Sequence, residues 1–206
     1  MKHSKMKKFG SIFLASTLLA GVLAGCGSDD DSSTDSGTSG SGGSSSAGET
    51  IKIGANLELS GGVASYGASI NEGAKLAIKE INEAGGINGK KIDYIVADNK
   101  SDNAEAVAAA TKLAVQDKVV AMIAPATSGN TIASVQIAND NKIPIVTPSG
   151  TSETITVNED GSVNDYAFRT CFIDPFQGVV AANFATEELS AKNVAIYVDS
   201  SNDYSK

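Results

Sequence analysis

Two runs of hydroxyl-bearing and small residues carry most of the binding chemistry in this chain. They are Ala124-Pro125-Ala126-Thr127-Ser128-Gly129-Asn130-Thr131 and Thr147-Pro148-Ser149-Gly150-Thr151-Ser152-Glu153. Each sets Ser and Thr beside Gly where an apolar run gives way to a helical pattern. A helix start offers unpaired N–H groups and the positive end of its dipole, which together with hydroxyls suit a carboxylate. Ser128 and Thr151 are equally suited to capping helices. Two neighbouring strand ends of the same design point instead to one shared polar site. Catalytic groups are scarce. The single histidine is His3, so the body of the chain has no Ser-His-Asp or Cys-His pairing and no histidine for a zinc site. No carboxylate pair stands out as acid and base, and no Gly-x-Ser-x-Gly elbow follows a strand. A hydrolase is disfavoured, and no enzyme activity, cofactor or metal is expected. Asp29, Asp30 and Asp31 read as a solvated charge run rather than a metal site.

The amino terminus has a different character. Lys2, Lys5, Lys7 and Lys8 precede an apolar run from Phe9 that ends in Leu23-Ala24-Gly25-Cys26. A basic start, an apolar stretch and small residues before a cut mark an export signal, too short for a permanent span. Leu-Ala-Gly-Cys resembles the processing site of bacterial lipoproteins. That implies removal of residues 1–25, acylation of Cys26, and a protein tethered outside the cytoplasm by its lipid alone. At about 0.8 kcal/mol per buried methylene, two or three acyl chains hold a protein where one holds it marginally. The rest of 26–49 is almost all Gly, Ser, Thr and Asp, too poor in apolar surface to fold. It is expected to be a flexible leash with a reach of roughly 25 Å.

Beyond Cys26 lie all 24 acidic residues and 12 of the 16 basic ones, a net charge of −12 without a basic stripe. Nucleic acid is therefore not an expected partner. With Cys26 acylated, Cys171 has no disulfide partner and reads as a small apolar strand residue.

Positioning elements follow from periodicity. Residues 51–57 and 92–98 alternate as strands, and shorter strands are expected at 119–124, 143–147, 166–172 and 194–199. Ile70, Ala74, Ala77, Ile78 and Ile81 form a helical stripe stopped by Gly85-Gly86. Further helices are expected at 103–116, 131–139 and 176–189. Strands alternating with helices imply right-handed crossovers and an α/β doubly wound parallel sheet. Ligands bind such sheets beyond the strands' carboxyl ends, at the loops 58–67, 98–102, 125–130 and 148–153. Gly86-Ile87-Asn88-Gly89-Lys90-Lys91 has the look of a phosphate loop. It fails because Ala84 stands where glycine is needed, and Lys91 where Ser or Thr is needed.

Leu59-Ser60-Gly61-Gly62, Tyr66-Gly67 and above all Ile81-Asn82-Glu83-Ala84-Gly85-Gly86-Ile87 resemble the substrate-binding proteins of branched-chain amino acid ABC transporters. Ala126-Thr127-Ser128, Ile143-Pro144-Ile145-Val146-Thr147-Pro148, Phe168-Arg169-Thr170 and Asp174-Pro175-Phe176-Gln177-Gly178 continue the match in order, as does Val198-Asp199 leading to Asp203-Tyr204. The resemblance implies a periplasmic-binding-protein type I fold, with lobe 1 over 50–172 and the start of lobe 2 over 173–206. It implies that Ser128 and the Ser149-Gly150-Thr151 loop hold a ligand's carboxylate and ammonium, and that Tyr66 covers its apolar side chain. Asp174 and Tyr204 match positions facing the cleft, with a helix cap and surface packing as their alternatives. A monomer is implied, delivering leucine, isoleucine, valine or a related solute to a membrane permease and its ATPase. A sensory receptor of the same fold is the alternative reading. Similar proteins continue well past Lys206, so the 206 residues are expected to be a fragment that by itself binds weakly or not at all.

Overall fold

Residues 49–202, 204 and 205 are described by a computed structural model. The export signal, Cys26 and nearly all of the Gly/Ser-rich stretch lie outside the described residues.

Five strands, β1 (Ile51–Leu57), β2 (Ile92–Asp98), β3 (Ala121–Ile123), β4 (Ile145–Thr147) and β5 (Ala167–Arg169), pair in the order β2-β1-β3-β4-β5. Every ladder is parallel. The chain first steps from β1 outward to β2, then crosses back to β3 on the other side of β1. The order thus reverses between β1 and β3, where a parallel sheet leaves a crevice at its strand ends. Among the described residues four α-helices accompany the sheet: α1 (Ala64–Glu83), α2 (Asn103–Thr111), α3 (Ser128–Asn141) and α4 (Asp174–Asn183).

Local chemistry explains the joints. Helix α1 ends where Gly85 and Gly86 take φ of 110° and 82°, and Gly86 N donates back to Ile81 O at 2.8 Å. Asn82 then ties that end to the next strand, its Oδ1 accepting from Ile92 N at 2.7 Å and its Nδ2 donating to Ile92 O at 3.0 Å. Asp102 caps α2 by accepting from Ala104 N and Glu105 N. The core gathers Leu113, Val119, Met122, Val135, Ala138, Ile145 and Ile155, all buried between the sheet and α2–α3. The floor is crowded at Gly54, where a Cβ would sit 3.1 Å from Met122 Cγ and would require Met122, Val119 and Leu113 to shift.

Several elements differ from expectation. Helix α3 begins at Ser128, three residues early, because Thr127 is still extended (φ −90°, ψ 148°) and serves as the boundary. The 103–116 helix is α-helical only to Thr111 and widens into a π-type turn, Lys112–Asp117, closed by left-handed Lys118. Strand β3 is shorter than 119–124 since Val119 spends its N–H on Leu113 O at the helix exit. Pro144, which has no N–H, precedes β4 and delays its start. The expected 166–172 strand pairs only over Ala167–Arg169, and the 176–189 helix begins at Asp174 and widens into a π-type turn, Phe184–Glu188. Residues 194–199 form no strand: Ile196 and Tyr197 are fully out in solvent and no described segment pairs with them.

Candidate functional site

At the β1/β3 crevice the loops after β1, β3 and β4 converge. The carboxylate of Glu58, the residue after β1, crosses the switch point to the loop after β3. Its Oε2 accepts from Ala126 N at 2.9 Å, and its Oε1 from Thr127 N, Thr127 Oγ1 and Asn130 Nδ2 at 3.1, 2.8 and 3.0 Å. Glu58 is fully buried. Behind it a polar chain runs through the core: Asn130 Nδ2 also reaches Asn99 Oδ1, Asn99 Nδ2 donates to Asn56 Oδ1, and Asn56 Nδ2 donates to Ala106 O and Ser134 Oγ. Buried amides cost free energy unless bonded, and here each finds a partner.

The 58–63 loop is held from β2. Asp98 Oδ1 accepts from Leu59 N, Ser60 N and Lys100 N, and its Oδ2 from Ser60 Oγ at 2.6 Å. Burial pulls the Asp98 carboxyl upward. The hydrogen bonds from the Ser60 hydroxyl and from the Lys100, Leu59 and Ser60 amides outweigh it and hold the group below its ordinary value. The loop after β4 is clamped by the opposite charge. Arg169, at the end of β5, donates to Gly150 O at 3.1 Å, Ser152 O at 2.8 Å and Thr156 Oγ1 at 3.1 Å.

Between these clamps lies a cavity of about 340 Å³ lined by Tyr66, Ser128, Ser149, Thr151 and Tyr204, with Val63, Ala126, Thr127, Phe172, Gln177 and Asn202. A volume of that order fits a small ligand. Five of the residues singled out in the sequence meet here. Ser128 does not cap its helix; its Oγ accepts from Ser152 N at 3.2 Å and keeps its own proton to donate. Within α3 the first backbone bond is Thr131 N to Thr127 O, so the earlier N–H groups of the helix are not spent inside it. Ser149 Oγ donates to Ala126 O, stitching the two loops together. Thr151 caps nothing either: its Oγ1 is buried without a partner, alone among the described side chains. Tyr66 and Tyr204 are about half exposed on the rim, with Gln177 Nε2 donating to the Tyr204 hydroxyl at 3.0 Å.

Two residues are placed elsewhere. Gly150 lies under the loop, where a Cβ would come within 2.7 Å of Ile155 Cδ1. Asp174 opens α4, where Ile173 holds the cap position, and touches the site loop only through its N–H on Thr151 O. Glu58, Asn130 and Arg169 were not singled out from the sequence. A lone Glu after a strand reads as a solvent charge, and only the fold reveals it as the acceptor for the loop across the crevice. Among the described residues no cluster of three His, Cys, Asp or Glu groups could hold a metal, and no helix is long and apolar enough to cross a membrane.

The strand-end cavity of this parallel lobe pairs unspent helix N–H groups with hydroxyls, a set of groups complementary to a polar anionic group. The family described as "Periplasmic binding protein" matches residues 50–205, and the chain belongs to it. A Leu/Ile/Val-binding protein homolog from Brucella abortus is 37% identical over 75% of this chain and 40% of its own length. The Pseudomonas aeruginosa leucine-, isoleucine-, valine-, threonine- and alanine-binding protein is 35% identical over 78% of this chain and 42% of its own. Among solved structures, a branched-chain amino acid transporter substrate-binding protein from Streptococcus pneumoniae, in complex with isoleucine, is similar with a TM-score of 0.71. It is 45% identical and covers 76% of this chain and 44% of its own. The chain thus spans about two fifths of the length of the relatives it matches.

Proposed function

We propose that this protein is the solute-binding component of an ABC importer, capturing a branched-chain amino acid outside the cytoplasm. The observation that carries the proposal is the buried, unpartnered Thr151 hydroxyl facing the same cavity as Ser128 and the start of α3. An amino acid head group completes both ends. Its carboxylate takes the Ser128 hydroxyl and the unspent N–H groups of α3, a charge-assisted arrangement, and its ammonium donates to Thr151 Oγ1 and the Ser149 carbonyl. Tyr66, Tyr204 and Phe172 supply apolar surface for the side chain. Gly150 serves by holding the loop backbone close to Thr147 rather than by touching the ligand, and Asp174 by fixing the Thr151 carbonyl.

The names of the relatives, and the isoleucine bound to the pneumococcal protein, support the ligand class. The Leu-Ala-Gly-Cys run supports attachment through lipid on Cys26. A membrane permease and its ATPase receive the ligand. Calorimetric titration of the full-length protein, freed of its lipid segment, with leucine, isoleucine and valine tests the proposal. Saturable one-to-one binding of at least one is expected, and no heat with any of the three would defeat it.

A further inference from the structure

We propose that Glu58 determines the charge class of the ligand: it selects a zwitterion over a lone carboxylate. The inference rests on the amino acid reading of the same cavity and goes further by naming the residue behind the choice.

All four partners of Glu58 are donors, the pattern of an ionised, acceptor-only carboxylate. Among the described residues no Lys or Arg forms an ion pair with it. A fully buried negative charge is therefore balanced only by amides, a hydroxyl and the start of α3. Such a charge is costly to keep without a counter-ion. It stands one side chain behind the cavity wall, since Ala126 and Thr127, which it holds, both line the cavity.

Two consequences follow for a ligand carboxylate. The N–H groups of Ala126 and Thr127 are already consumed, so the ligand is confined to Ser128 and α3. The helix end that attracts the carboxylate is also partly neutralised by Glu58. A lone anion is repelled, whereas an amino acid brings an ammonium that the same negative charge attracts. Interactions between partly screened charges across a cavity wall alter affinity by about tenfold.

The test uses leucine and 4-methylpentanoate, its analogue without the ammonium group, titrated into the full-length wild type, E58Q and E58D, with a melting curve for each. In E58Q the ratio of the 4-methylpentanoate Kd to the leucine Kd is expected to fall by about tenfold. In E58D, which keeps the charge, it is expected to stay within about twofold even if both affinities drop. Equal changes for both ligands in E58Q would make Glu58 merely structural and overturn the inference. Should E58Q fail to fold, a shifted ratio in E58D would overturn it alone. A wild type that binds 4-methylpentanoate and no amino acid would overturn both this inference and the proposed function. A wild type that binds neither defeats the proposed function only. In that case E58Q gaining 4-methylpentanoate would support the role of Glu58, and E58Q gaining nothing would overturn it.

Discussion

At the scale of single residues, Thr151 has the most unusual position, because its hydroxyl is buried without a partner in a lobe whose other buried polar side chains are bonded. An unmet buried hydroxyl costs about 1–3 kcal/mol. Thr151→Val removes the hydroxyl and keeps the shape. The ligand-free protein is therefore expected to melt at the same or a higher temperature, while amino acid affinity falls by about 10- to 100-fold, as for a lost hydrogen bond to a charged group. Calorimetry and thermal melting on one sample check both signs.

Two titrating residues give pH signatures. The Asp98 carboxyl is held below 3.8, so its contribution to stability is complete above that pH and is lost as pH falls through the lowered value. Asp98→Asn is expected to flatten the acid side of the stability profile and loosen the 58–63 loop, which carboxyl NMR and urea melts can follow. Tyr94, half-buried under α1 with its hydroxyl on Asn71, is pushed up to about 12 by burial and by nearby Glu72. A raised value favours the neutral phenol, so that stabilisation is present below pH 10 and is lost as pH rises toward 12. Ultraviolet titration would show one tyrosine ionising late. Ser128 and Thr151 were legible in the sequence because hydroxyls beside glycine at strand ends have a local signature. Glu58 was not, since its meaning comes from Ala126, Thr127 and Asn130, about seventy positions away in the chain.

At the scale of elements, α1 seats its first turn on the backbone of Glu58. Gly67 makes this possible: a Cβ there would lie 2.2 Å from Glu58 O. Gly67→Ala must lift the helix or push Glu58 aside, a strain worth about 1–3 kcal/mol. It is expected to lower stability by that amount in urea melts and to weaken ligand binding as well, since Glu58 organises the next loop. Strands β1 and β2 and the end of α1 could be read from the sequence with near-correct limits because their patterns are long and closed by glycine or a turn. Strands β3 to β5 pair over three residues each, too few for alternation to define their ends. Helix α3 begins earlier than expected because Ser128, Gly129 and Asn130 look like loop residues, although they form its first turn, with Ser128 on the cavity.

At the scale of the whole molecule, packing is uneven. Strand β1 and the core around Leu113 and Ile145 are closed, while α4 buries no residue and exposes Phe176, Val179 and Val180, with Phe184 exposed just beyond its end. Local opening is easiest where few contacts are made. In the 206-residue chain by itself, amide exchange in α4 and in 194–199 is therefore expected to exceed that of β1 and β3 by at least about 100-fold, and equal protection would show that α4 is packed there. The doubly wound class followed from the alternation of strands and helices. The order β2-β1-β3-β4-β5 did not, because it depends on which edge each crossover chooses.

The head-group site would be tested most directly by a crystal structure of the full-length protein with leucine. The ammonium is expected within hydrogen-bond distance of Thr151 Oγ1, and the carboxylate on Ser128 Oγ and the first turn of α3. Leucine bound with Thr151 Oγ1 still unpartnered, or with its carboxylate away from α3, would contradict the assignment.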